Sequence, residues 1–444
     1  MRLRGIPSLI TILATLSIGC AYYNGLYNAN RLAKEARRAE RQGRRSEAQS
    51  LWAQAAVKAE SVATRYPGSQ YRDDAWLLQG RALSRIGDCR SAVVPLDDAL
   101  TWSEDVALRA AAGLLLGQCH LELGQPDSAW HLLSTLMDHP DSTVTSRALL
   151  WRGRAAMARG QVEDALADLR RTREPDAFFD RASALAELGQ VREAAAVLDS
   201  ARAFPFDERQ WLGALTRVGS GEPAVASGLV DGLVGRKDLT SGQRARLLMA
   251  DGVRWADVDR EYASLRFADA VSAAGDSLEG RLATAHLAMG EIRMTSDLDR
   301  VAELTDELGS LMLEGGEIID LAGRFAAILD DIVIAVGIPE PRHPDLVIFR
   351  RAEEARDSLL ARHLAARLFL LVAQRYPASV IAPKALLAAA DARVALGDSV
   401  RQVLRRRYPE SPYTRAAAGD FRPEYTTIED SIRTLLTREI LRAR

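Results

Sequence analysis

The sequence predicts an all-α chain of antiparallel helix pairs, and three observations carry that prediction. Ala and Leu are abundant, aromatics are few, and the only sustained β-branched run is Ile332-Val333-Ile334-Ala335-Val336. Glycines at 87, 124, 160 and 189 stand 37, 36 and 29 residues apart, each followed five residues on by Ala and four further on by Leu. Finally, RYPGSQYRDDAWLLQGRALSRIGD at 65–88 returns without a gap as RYPASVIAPKALLAAADARVALGD at 375–398.

Each element follows from local chemistry. Pro67 and Pro377 cannot continue a helix and bias Tyr66 and Tyr376 away from helical backbone. Ser69, Ser379 and Ser411 suit N-caps, and Pro412 suits the first helical position. Apolar or small side chains then recur at helical spacing until Gly87-Asp88 or Gly397-Asp398, where Gly supplies the left-handed backbone that ends a helix. Ala92, Ala129, Ala165 and Ala194 with Leu96, Leu133, Leu169 and Leu198 mark the second helix of each unit. Gly80, Gly117, Gly153 and Ala182 lie seven residues before the turn glycines, where a close helix crossing leaves room for little beyond hydrogen or methyl. An earlier unit ends at Gly43, with Ala48 and Trp52 in register.

Between about 205 and 345 this phase is lost. Gly219-Ser220-Gly221-Glu222-Pro223 reads as a loop, and Gly228, Gly232 and Gly235 weaken the segment after it. Apolar spacing still predicts helices over 242–257, 259–275, 278–294, 297–313 and 316–334. Three prolines within 338–344 exclude helix there and mark the best internal boundary. A last helix from about Ile428 places Ile428, Ile432, Leu435 and Leu436 on one side, as a cap for the final repeat.

The spacing brackets the roughly 34-residue period of tetratricopeptide (TPR) repeats, and the chain resembles that family over about 30–200 and again over 346–415. The family's large residue at the fourth position of the first helix appears as Trp76 and Phe178, whereas Gly113 and Leu149 hold it in the other two units, so the repeats are degenerate. The resemblance implies a TPR-like α-solenoid divided as 21–204, a degenerate segment 205–337, a Pro-rich linker 338–345 and C-terminal repeats with a capping helix over 346–444.

Residues 1–20 read as a targeting segment. Met1-Arg2-Leu3-Arg4 is a positive start, and Ile6 to Gly19 is a mostly apolar run too short to span a bilayer comfortably. Leu16-Ser17-Ile18-Gly19-Cys20 resembles the lipobox of bacterial lipoproteins, with Ser17 where that family favours Leu. The resemblance implies lipidation of Cys20. Ala21 rather than Asp after it implies, by that family's sorting rule, the periplasmic face of the outer membrane. An ordinary cleaved signal or an uncleaved anchor with a chance cysteine is the alternative. The RYP-x-S turn resembles TPR lipoproteins of bacterial envelopes, including the much shorter one of the outer-membrane β-barrel assembly machinery.

Two cysteines remain in a compartment that would oxidise them. Counted against the repeat, Cys89 opens the second helix of one unit and Cys119 lies past the middle of the next unit's first helix. Those helices pack side by side in the family, so either a disulfide or two buried thiols fits.

Little else carries chemistry. The chain has no Walker A loop, HExxH, G-x-S-x-G or paired Cys-x-x-Cys, and its six histidines share no helix face. Gly219-Ser220-Gly221 lacks the third Gly of a dinucleotide loop. Cys119-His120 offers two metal ligands where a site needs more. No catalytic residue, metal or cofactor is expected. A formal charge of −2 gives no pointer to nucleic acid, and the basic residues are almost all Arg.

The family lines its concave groove with positions two, five, nine and twelve of each first helix. These map to Asp74, Leu77, Arg81 and Ser84, to Leu114 and Gln118, to Arg147, Leu150 and Arg154, and to Asp176, Phe179 and Ser183. Arg81, Arg147 and Arg154 offer planar donors suited to carboxylates or a peptide C-terminus, or else simply solvate a helix face. The function implied is a non-enzymatic, lipid-anchored scaffold for protein or peptide partners of the cell envelope. A cell-wall or polysaccharide module beside an envelope enzyme is the alternative, and an enzyme within 205–345 a third reading.

Overall fold

A computed structural model describes residues 8–313, 316–337, 343–392 and 397–443. The described residues form 23 helices and no strand, a TPR-like all-α solenoid architecture with degenerate middle repeats. They divide into two compact units, residues 1–229 and 230–444.

In the first unit α1 (Ser8–Arg41) packs on α2 (Arg45–Arg65). The pairs α3 (Arg72–Arg85) with α4 (Cys89–Trp102), α5 (Val106–Glu122) with α6 (Pro126–Ser134), α7 (Ser142–Ala158) with α8 (Val162–Arg171), and α9 (Ala177–Glu187) with α10 (Val191–Ala201) come next along the chain. After them stand α11 (Glu208–Gly221) and α12 (Pro223–Val234), in which the boundary between the units falls. The first helices of successive pairs also touch one another, α3 with α5, α5 with α7, α7 with α9 and α9 with α11, which makes them one layer.

The repeated glycines build these pairs. Gly87 has φ +82°, and the N–H groups of Gly87 and Asp88 donate to Ser84 and Leu83 carbonyls, which satisfies two of the four carbonyls orphaned at the end of α3. Gly124, Gly160 and Gly189 repeat this left-handed backbone at +72° to +74°. Seven residues earlier the helices cross closely. A Cβ built on Gly80 would stand 2.4 Å from Leu96 Cγ, one on Gly117 2.7 Å from Leu133 Cγ, and one on Gly153 2.8 Å from Leu169 Cγ. Those three leucines are fully buried. Between pairs, a disulfide joins Cys89 at the start of α4 to Cys119 in α5, with Cα atoms 5.0 Å apart.

The second unit comprises α13 (Ser241–Trp255), α14 (Arg260–Ala274), α15 (Leu278–Met294), α16 (Leu298–Met312), α17 (Gly316–Gly337), α18 (Pro344–Asp357), α19 (Arg362–Arg375), α20 (Ala382–Ala392), α21 (Gly397–Arg407), α22 (Pro412–Ala416) and α23 (Pro423–Ala443). A continuous core runs from Ala285 to Ile432. Helices α13 to α17 match the spans that apolar spacing predicts, with ends shifted by up to three residues. The β-branched run 332–336 lies inside α17.

Five local expectations are corrected. Gly219, Ser220 and Gly221 belong to α11, because Val218 and Gly219 are buried and Gly221 lies against Val191. Gly397 opens α21 instead of ending a helix, and the preceding turn lies outside the described residues. Pro344 and Asp345 start α18 instead of belonging to a linker, since Pro is accepted at the first helical position; residues 338–342 lie outside the described residues. Ser411 caps α22, but Ser69 and Ser379 act one turn ahead of α3 and α20, accepting the N–H of Tyr71 at 3.3 Å and Ile381 at 3.2 Å. In α23, Ile428 and Ile432 pack on the core whereas Leu435 is 37% exposed; the Leu436 side chain lies outside the described residues. Cys20 lies on the backbone of α1.

Candidate functional site

The layer of first helices presents a concavity of about 1450 Å³ within the first unit, lined by α7, α9 and α11 together with Arg45 of α2. Of the twelve positions mapped from the sequence, it gathers Arg154, Asp176, Phe179 and Ser183. Asp74, Leu77, Arg81, Ser84, Leu114, Gln118 and Arg147 keep exposed or half-buried side chains on α3, α5 and α7, outside this cavity. Leu150 is different. It is 4% exposed, packed into the core because α7 is covered by neighbouring helices on two sides, so it offers no surface to a partner.

The cavity is a polar network laid over aromatic rings. Arg154 Nε donates to Asp180 Oδ2 at 2.8 Å, and its guanidinium also lies 3.8 Å from Asp176 and 4.5 Å from the centre of the Trp151 ring. Gln210 Nε2 donates to Asp176 Oδ1 at 3.5 Å, and Arg217 donates to Ser183 Oγ at 3.3 Å. Burial pushes the Asp180 carboxyl above the usual carboxylate range, against the pull of Arg154. Phe179 meets the fully buried Trp211 edge to face at 5.3 Å, which fixes its ring at the cavity wall. Trp151, Phe206 and Leu212 add apolar surface.

Arg154 is therefore engaged by carboxylates of its own chain, whereas among the described residues Arg81 and Arg147 have no carboxylate partner. Burial, helped by the positive charges of Arg37, Arg85 and Arg147, lowers the pKa of the Arg81 guanidinium. Asp74 moves the opposite way: burial first, then Asp105 and Asp73, raise its carboxyl.

The sequence mapping missed Trp151, Asp180 and the whole contribution of α11. It stopped at residue 204, where the glycine phase is lost. A signal was present: Asp207 caps α11 through the Gln210 N–H at 3.0 Å, and an Asp before an apolar helix was readable without the repeat. Among the described residues no three His, Cys, Asp or Glu side chains converge to hold a metal, and no helix is long and apolar enough to cross a membrane.

One family match agrees with the architecture of the N-terminal repeats. Residues 6–174 match the tetratricopeptide repeat-like domain family. No curated protein matches the chain. Among solved structures, a tetratricopeptide repeat protein from Parabacteroides merdae is 17% identical and covers 60% of this chain and 99% of its own, with a TM-score of 0.38. The Cut9–Hcn1 hetero-tetramer of the APC/C is 12% identical over 91% of this chain and 98% of its own, at 0.28. The human IFIT1 dimer with PPP-AAAA is 12% identical over 89% and 93%, at 0.30. The chain is thus similar to TPR proteins over its N-terminal repeats, and its fold is that of a TPR-like solenoid.

Proposed function

We propose that this chain is a non-enzymatic scaffold that holds protein or peptide partners of the cell envelope in the concavity of its first unit, anchored by lipid on Cys20 at the periplasmic face of the outer membrane. The observation that carries the binding part is the cavity itself: rigid aromatic surface from Trp151, Phe179 and Phe206 beside paired Arg and Asp side chains. Aromatic and Arg anchors in a concave, preformed surface are what protein interfaces concentrate their binding energy on. Arg81 and Arg147, uncompensated on the same helix layer, extend the surface toward acidic groups of a partner.

The location rests on Met1-Arg2-Leu3-Arg4, the short apolar run and Gly19-Cys20. The Cys89–Cys119 disulfide supports it, because such bonds persist in oxidising compartments.

Affinity capture from detergent-solubilised envelopes tests both parts. Partners should be lost with Phe179→Glu combined with Arg217→Glu, and kept with Val94→Glu, an exposed position on a second helix. Cys20→Ser should release the chain from the outer-membrane fraction. Retention on peptidoglycan with no protein captured would turn the reading to a cell-wall module, and unchanged fractionation of Cys20→Ser would end the lipid anchor.

A further inference from the structure

The second unit holds a cavity of about 270 Å³ between α13, α14 and α15, closed at one side by Leu360. Phe267, Met289, Val253 and Ala263 are among its apolar walls, and its polar groups are His286, Arg260, Arg293, Asp257 and Ser264, whose hydroxyl donates to the Arg260 carbonyl at 2.9 Å. Three features set it apart from a packing defect.

Gly290 sits in the interior of α15, and a Cβ there would meet nothing within 4 Å. The neighbouring glycines are each demanded by packing: Gly280 by the Gly275 carbonyl at 1.8 Å from a built Cβ, and Gly252 by the Phe267 ring at 2.7 Å. Gly228 and Gly309 also face open space inside helices, so what distinguishes Gly290 is its place on the wall of this cavity, where a side chain would fill the space.

His286 stacks on Phe267, ring centres 4.7 Å apart and planes within 3°, and among the described residues neither of its ring nitrogens has a hydrogen-bond partner. Burial, with the nearby Arg293 charge, pushes its pKa down to about 4, so the imidazole is neutral and keeps one donor and one acceptor unspent.

The charges at the wall do not balance. Arg293 donates through Nε to the Leu359 carbonyl at 3.1 Å, and Arg260 touches the Met294 sulfur at 3.3 Å. Asp257 is the single carboxylate among the lining residues, against two guanidiniums. One positive charge is left over.

We infer that this cavity binds a small organic monoanion, an aromatic or short acyl carboxylate. The apolar body fills the space over Gly290 against Phe267 and Met289, and the carboxylate takes N–H donors from Arg260 and Arg293. A guanidinium matches a carboxylate in geometry as well as charge. The volume lies below the roughly 300–1,000 Å³ of drug-sized pockets, which keeps the ligand compact.

Calorimetric titration of the full chain with benzoate and with hexanoate tests this, with benzamide and hexanamide as neutral counterparts. At least one carboxylate should bind saturably, with its amide about tenfold weaker or worse. Gly290→Leu fills the cavity in open space at a helical position. It should abolish binding while leaving the melting temperature unchanged or higher, which separates a blocked site from a misfolded one. Arg260→Gln should weaken binding about tenfold, and Asp257→Asn should tighten it by removing a competing charge. The inference fails if neither carboxylate binds saturably, if the amides bind as well as the acids, or if binding survives Gly290→Leu.

Discussion

Replacing Gly80 with alanine adds one methyl group in the middle of α3, and two opposed effects decide its outcome. In an isolated helix the change stabilises by about 0.8–1.0 kcal/mol. Here the new Cβ would lie 2.4 Å from Leu96 Cγ and 2.5 Å from Leu96 Cδ2, where carbon atoms settle at about 3.5–4.0 Å. Leu96 is fully buried in α4 and has no free direction, so the two helices must part by about 1 Å. Overpacking of that kind costs about 1–3 kcal/mol, and two close contacts on one side chain place it at the upper end. The net effect is a loss of about 1–2 kcal/mol, opposite in sign to helix propensity. Urea unfolding of the full chain, followed by far-UV circular dichroism, reads it as a lower midpoint. Gly228→Ala serves as the control, since its Cβ meets nothing within 4 Å on an exposed helical position, and it should gain about 1 kcal/mol. In a Leu96→Ala background the clash is gone and Gly80→Ala should turn stabilising, a coupling of about 2–3 kcal/mol. A raised midpoint for Gly80→Ala in the unaltered chain would refute the close crossing on which the repeat packing depends.

Three further outcomes concern other parts of the chain. Asp251 is fully buried between Arg254 at 2.5 Å and Arg266 at 2.9 Å, so Asp251→Ala should cost about 3 kcal/mol in urea unfolding by leaving Arg254 buried and unpaired, while Arg266 keeps Asp231 at 2.5 Å; a loss under 1 kcal/mol would contradict that pairing. Reducing the Cys89–Cys119 bond, which closes 30 residues of sequence, should lower stability by roughly 3–4 kcal/mol, and equal midpoints with and without reductant would show the bond to be unformed or inert. His286 has a folded pKa of about 4 against 6.5 unfolded, so the unfolded chain takes up the proton first as pH falls. Stability should be full above about pH 6.5 and decline toward pH 4, by up to about 3 kcal/mol, with Arg293, Arg260 and Asp257 facing the ring; His286→Phe should flatten that limb, and an unchanged limb would place the acid sensitivity elsewhere.

Features set by local backbone chemistry were legible in the sequence. A glycine at a helix end with Ala five and Leu nine residues on specifies both the left-handed turn and the crossing partner, and Gly87, Ala92 and Leu96 do both. Helices α13 to α17 were readable because apolar spacing survives where the repeat phase does not. What could not be read depended on neighbours distant in sequence. Gly219-Ser220-Gly221 looks like a loop by propensity, yet Val191 and the surrounding core keep it helical. Leu150 falls on a groove position by counting, but α7 is covered on that side. The partnership of Arg154 with Asp180 and the open space over Gly290 arise only when separate helices are brought together. A glycine required by a close neighbour and one facing a void are the same letter.

The measurement that bears most directly on the scaffold reading is site-specific photo-crosslinking in intact cells. A photoreactive side chain at Phe179, on the wall of the concavity, should yield one or a few discrete protein adducts. The same group at Val94, 66% exposed on α4, should yield none of them. Adducts from Val94 that match those from Phe179, or no adduct from Phe179, would contradict partner binding in the concavity.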